Sequence, residues 1–71
     1  MNLTDRQASV LQAVREGRVW SDSMSSPLAD FMETPGGNRI VTRTMHQLYR
    51  WKLVRLSPGR MGTRTYWDVA I

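Results

Sequence analysis

Residues 38–51 read Asn38-Arg39-Ile40-Val41-Thr42-Arg43-Thr44-Met45-His46-Gln47-Leu48-Tyr49-Arg50-Trp51, the most strongly patterned segment of the chain. No proline or glycine interrupts it, and Asn38 is a residue type that caps helices. At about 100° per residue, Arg39, Arg43, His46 and Arg50 fall within a sector about 60° wide. Thr42 and Gln47 flank that sector, and Val41, Met45 and Leu48 point the opposite way. The pattern predicts a helix from Arg39 to about Trp51. One side is apolar, and the other is a row of long donors without an acid.

On the amino-terminal side of this stretch, Ser26 can cap another helix with Pro27 in its first position. Leu28, Phe31 and Met32 would give that helix an apolar side, and Thr34-Pro35-Gly36-Gly37 would end it and turn the chain. Earlier still, Arg18-Val19-Trp20-Ser21 is short, branched and aromatic, which predicts a brief strand. A first helix is expected over residues 5–16. Thr4 caps it, Gln7 completes a capping box and Leu3 is placed to act as a staple. Val10, Leu11 and Val14 form its apolar stripe, and Gly17 suits its exit. On the carboxy-terminal side, Leu53-Val54-Arg55-Leu56 and Thr65-Tyr66-Trp67-Asp68-Val69 read as strands, joined through residues 57–64 as a hairpin tip. Alternation sends Trp67, Val69 and Ile71 to one face and Tyr66 and Asp68 to the other.

The charge is divided as sharply as the pattern. Of ten basic residues only Arg6, Arg15 and Arg18 lie in residues 1–33, beside five acids, for a net −2. Residues 34–71 hold seven basic residues against Asp68 alone, a net +6, with no carboxylate between Thr34 and Trp67. Nine of the ten cations are arginine, whose planar fork binds phosphate and guanine in bidentate fashion, so a polyanionic partner is expected. The chain of 71 residues has room for one small domain, 1–71, with a modest core. With 41% apolar residues and 23% charged, it has the composition of a folded protein. No cysteine is present and there is one histidine, so no metal site or cofactor is expected. No apolar run approaches the roughly 18 residues of a spanning helix, and the first residues lack the pattern of a secretory signal, so no membrane partner is expected.

Enzymatic readings find little support in the residue pattern. His46 has no carboxylate neighbour at helical spacing, so a groove-facing donor or a surface histidine is the better reading. Asp22 between Ser21 and Ser23 fits a connector beside a helix cap. Gly59-Arg60-Met61-Gly62 lacks the Gly-Lys-Ser/Thr ending of a phosphate loop. No catalytic residue is assigned, and the chain is not expected to be an enzyme. Of Trp20, Trp51 and Trp67, at least two are expected in core or rim packing, with Trp51 the best candidate for an exposed aromatic.

Taken together, three helices, a short strand after the first and an arginine-tipped closing hairpin resemble the winged helix-turn-helix family. Leu28-Ala29 looks like the pair that opens the family's second helix. Val41-Thr42-Arg43-Thr44-Met45 with Leu48 resembles its recognition helix, and Leu53-Val54 its exit into the first wing strand. Lys52 stands where the family often has glycine, so it either takes the left-handed conformation or the helix ends differently. The resemblance implies an α+β winged helix: a three-helix bundle with a short strand after helix 1 and a C-terminal β-hairpin wing, in the order α-β-α-α-β-β.

It also implies a sequence-specific double-stranded DNA-binding protein, a small transcriptional regulator of the phage, plasmid or bacterial type. Such a protein would act in the cytoplasm, in association with the nucleoid. The helix bearing Arg39, Thr42, Arg43, His46, Gln47 and Arg50 would lie in the major groove. Arg60, Thr63 and Arg64 of the wing would contact adjacent backbone or minor groove. A homodimer across paired half-sites is a further expected arrangement. Two other readings stand beside it. One is a winged-helix interaction module docking on a host polymerase or recombinase, and the other is single-strand or RNA binding by aromatic stacking.

Overall fold

The computed structural model describes residues 2–22, 29–62 and 64–70, with the side chains of 58–61 left aside. Two helices and five strands follow one another as α1 (Asp5–Arg15), β1 (Val19–Asp22), β2 (Ala29–Thr34), β3 (Gly37–Ile40), α2 (Thr42–Arg50), β4 (Val54–Met61) and β5 (Arg64–Val69). The strands form one antiparallel sheet in the order β3-β2-β1-β5-β4. The three-helix bundle with a wing is therefore corrected to an α-β-β-β-α-β-β fold in which a sheet replaces the middle helix.

The first helix forms as its sequence directs. Gln7 N–H donates to Thr4 Oγ1 at 3.1 Å, and Thr4 N–H donates to Gln7 Oε1 at 2.9 Å, closing the capping box. Its exit is a Schellman turn: Gly17 N–H donates to the Val14 carbonyl and Arg18 N–H to the Ala13 carbonyl. Gly17 takes φ +74°, the left-handed conformation that a glycine adopts at little cost. Val10, Leu11, Ala13 and Val14 are then buried against the sheet and α2.

The middle of the chain departs from the expected helix. Residues 29–34 form β2, whose alternation buries Asp30 and Met32 and leaves Phe31 less covered and Glu33 exposed. Leu28, Phe31 and Met32 fit a helical spacing, but the same stretch fits a strand period equally well over so few residues. Pairing decides it: β2 lies between β1 and β3, with Val19 opposite Met32 and Phe31 opposite Ile40. Pro35 and Gly36 make the tip between β2 and β3, and Gly37 follows at φ +125°. The expected cap and first position of the missing helix, Ser26 and Pro27, lie outside the described residues, as does Leu28.

The expected helix from Arg39 begins three residues later. Arg39 and Ile40 belong to β3, opposite Met32 and Phe31, so the Asn38 cap gives way to Val41 as the first flanking residue. Val41 N–H donates to the Asp30 carbonyl at 2.9 Å, and Asp30 N–H donates to Thr42 Oγ1 at 3.0 Å. These two bonds clasp the start of α2 to β2. The other end is a second Schellman turn, with Lys52 N–H to the Tyr49 carbonyl and Leu53 N–H to the Leu48 carbonyl. Lys52 takes φ +60°, so the left-handed alternative is the one realised.

Alternation across the paired strands assigns the two sheet faces. Both helices pack on the face that carries Val19, Met32 and Val54, and Met45 and Leu48 of α2 complete the core there. Trp67 and Val69 share that face, as alternation predicted, while Ile71 lies outside the described residues. The opposite face carries a row in register across four strands: Ile40, Phe31, Trp20 and Tyr66. The expected loop over 57–64 is largely strand, since β4 and β5 pair as far as Met61 and Arg64, with a register shift between Leu56 and Arg60.

Candidate nucleic-acid interface

Helix α2 is amphipathic in the sense expected. Met45 and Leu48 are fully buried, and Arg43, His46, Gln47 and Arg50 are exposed, with Thr42 half-buried. Thr42, Arg43, His46, Gln47 and Arg50 together line one shallow depression of about 430 Å³. No acid lies on this helix, and neither Arg43 nor Arg50 has an ion pair among the described residues. Arg43 stands in the first turn, where the helix dipole disfavours a cation and favours an anion. Arg50 stands in the last turn, where the dipole favours it.

Gln47 is held from behind. Its Oε1 accepts from Gln7 Nε2 at 2.8 Å, which leaves its own amide N–H groups for an outside acceptor. Gln7 is mostly buried and also caps α1, so the capping box of one helix orients a polar group on the other.

The remaining expected residues do not join this row. Arg39 lies on edge strand β3 and lines a separate depression with Arg6, Ser9 and Thr44. Arg64 is on the sheet face remote from α2, its guanidinium 4.2 Å from the Trp20 ring centroid. Arg60 pairs with Thr65 in β4, but its side chain and the whole of Thr63 fall outside the described residues. The helix row and Arg64 therefore belong to two faces, because alternation along β5 turns Arg64 away from Trp67.

Beside the row is a second, smaller and more enclosed feature that pattern alone did not reveal. Ser21, Ala29, Asp30, His46, Tyr49, Leu56 and Trp67 line a cleft of about 300 Å³ between α2 and the sheet. Asp30 is only 5% exposed, and its Oδ1 accepts from Trp67 Nε1 at 2.7 Å. Burial pushes the Asp30 carboxyl up from its ordinary value, against the opposing pull of the Trp67 hydrogen bond, of nearby His46 and of the Ser21 hydroxyl. His46 thus has a carboxylate neighbour after all, supplied by β2 rather than by its own helix. The available signal was the β2 alternation, which places Asp30 on the same face as Met32.

Trp51, expected as the exposed aromatic, is half-buried against the core, and Tyr49 at 59% exposure takes that place. Trp20 is 3% exposed, stacked on Phe31 and tilted against Tyr66. Among the described residues no three metal-ligating side chains gather, and no helix is long and apolar enough to cross a membrane. Comparison with protein-family models, curated proteins and solved structures finds no match to this chain.

Proposed function

We propose that this protein binds double-stranded DNA through the exposed side of α2, acting as a small sequence-reading regulator in the cytoplasm. The observation that carries the reading is the shared depression of Thr42, Arg43, His46, Gln47 and Arg50, with both its arginines free of ion pairs among the described residues. A helix with its side chains is about 10–12 Å across and the major groove is about 12 Å wide, so this nine-residue helix can lie along the groove with its row facing the base edges. Arg43 and Arg50 have the donors for guanine or phosphate, and Gln47 can donate to adenine N7 while the second lone pair of its Oε1 accepts from the adenine N6 amino group. The Gln7 tie lowers the freedom Gln47 would lose on binding.

The test is fluorescence anisotropy with a random-sequence duplex at two salt concentrations, followed by selection of bound duplexes from a random pool. Binding that weakens steeply with salt, and a recovered motif, are the expected results. The symmetry of that motif would report whether one copy or two occupies the site. Absence of binding at low ionic strength overturns the proposal and favours a protein partner for the same surface.

A further inference from the structure

The cleft beside the arginine row has a composition that backbone binding does not require. A buried carboxylate, Asp30, forms part of its wall together with the Ser21 hydroxyl. Tyr49 and Trp67 stand edge to face with centroids 5.7 Å apart, and Leu56 adds apolar surface. His46 lines both this cleft and the depression that holds Arg43 and Arg50. The arginine row and the aromatic-lined cleft thus share His46 as a common wall.

We infer that this cleft takes an unpaired nucleobase with two adjacent N–H donors, guanine being the base that fits, when the attached phosphate lies on the Arg43–Arg50 row. The inference rests on the nucleic-acid reading of α2 and adds a second mode to it. A carboxylate is an acceptor-only group with more lone pairs than Trp67 and Ser21 occupy, so it can receive the N1–H and 2-amino donors of guanine. Adenine and uracil lack that pair of donors. Tyr49 and Trp67 provide aromatic surface for the ring, an interaction open to any base. The carboxylate would supply the choice. A free organic cation would also suit an aromatic cleft with an acid, but the surrounding arginines repel it and attract a phosphate ester. The cleft volume of about 300 Å³ is at the small end of the range that holds small ligands.

The indole N–H of Trp67 donates to Asp30, so its resonance in ¹⁵N-labelled protein reports directly on the carboxylate, and Trp67→Phe assigns it. Guanosine, inosine, adenosine and uridine 5′-monophosphates are titrated separately, all carrying the same phosphate. Guanosine monophosphate is expected to shift this signal at concentrations at least ten-fold lower than the adenosine or uridine nucleotide. Inosine monophosphate, which lacks the 2-amino donor, should lose most of that advantage, and Asp30→Asn should abolish it. An unmoved indole signal up to about 10 mM guanosine monophosphate, or equal responses to all four nucleotides, overturns the inference. Duplex binding is measured on the same samples. Duplex binding with a silent Trp67 signal sinks the cleft alone, and a guanosine-selective shift without duplex binding sinks the groove reading instead.

Discussion

Two residues hold conformations or environments that their types resist, and each yields a measurable consequence. Lys52 ends α2 at φ +60°, where a side chain with a Cβ is strained by about 1–2 kcal/mol. Glycine would remove the strain and return part of the gain through the freedom of the unfolded chain. Lys52→Gly is therefore expected to stabilise the fold by about 0.5–1 kcal/mol in urea unfolding, and a loss of stability would contradict the strain account. Asp30 presents the opposite problem, a carboxyl whose proton affinity rises on folding because burial disfavours its charge. Between the unfolded value of 3.8 and the raised folded value, the folded chain holds the extra proton. The stabilisation from that proton is complete below 3.8 and is lost as pH rises through the folded pKa. Asparagine at this position can accept from Trp67 and donate to Ser21 without titrating. The stability of the native protein minus that of Asp30→Asn should fall as pH rises from 3.8 through the raised folded value, then level off. A difference that stays flat or rises with pH would show that burial does not dominate this site.

At the scale of elements, what was legible in the chain follows local determinants. Helix α1 is marked at both ends by residues that act within one turn, Thr4 with Gln7 and Gly17, so its limits were readable. The start of α2 depends instead on Ile40 and Arg39 finding partners in β2, and on Asp30 clasping Val41 and Thr42. Those are contacts between elements, and six residues that satisfy both a helical and a strand period do not announce them. The outward row of α2 was legible because it needs only the helix itself; Arg39 was misplaced because it needed the helix to start earlier. Asp30 was missed for a related reason: its partners Ser21 and Trp67 come from two other strands. Coupling between elements also predicts the behaviour of Gln7. Gln7→Ala removes an acceptor for Thr4 N–H and the tie to Gln47 together, at an expected cost of roughly 1–2 kcal/mol in thermal or urea unfolding. The same variant frees the Gln47 amide, so base preference at its contacted position should relax while affinity for random duplex is retained. Unchanged preference would mean that Gln47 does not read a base.

For the whole molecule, the division of cations between two faces has a consequence for binding. Arg43 and Arg50 project from the helix side, whereas Arg64 lies over Trp20 on the other side of the sheet. One straight duplex docked on α2 cannot engage both sets. Each arginine that releases a counterion contributes about one unit to the logarithmic dependence of affinity on salt, and a base contact adds roughly 1–3 kcal/mol of discrimination. Arg43→Ala and Arg50→Ala should therefore each weaken duplex binding, and whichever grips phosphate should flatten the salt slope by about one unit. Arg64→Ala should leave both affinity and slope near native values, even though it carries the same charge. The net charge of +4 drops equally in all three variants, so a purely nonspecific cationic surface would respond equally to all three. Equal losses would replace the helix-sided interface with such a surface. Losses of affinity confined to the two helix variants would instead locate the duplex on α2.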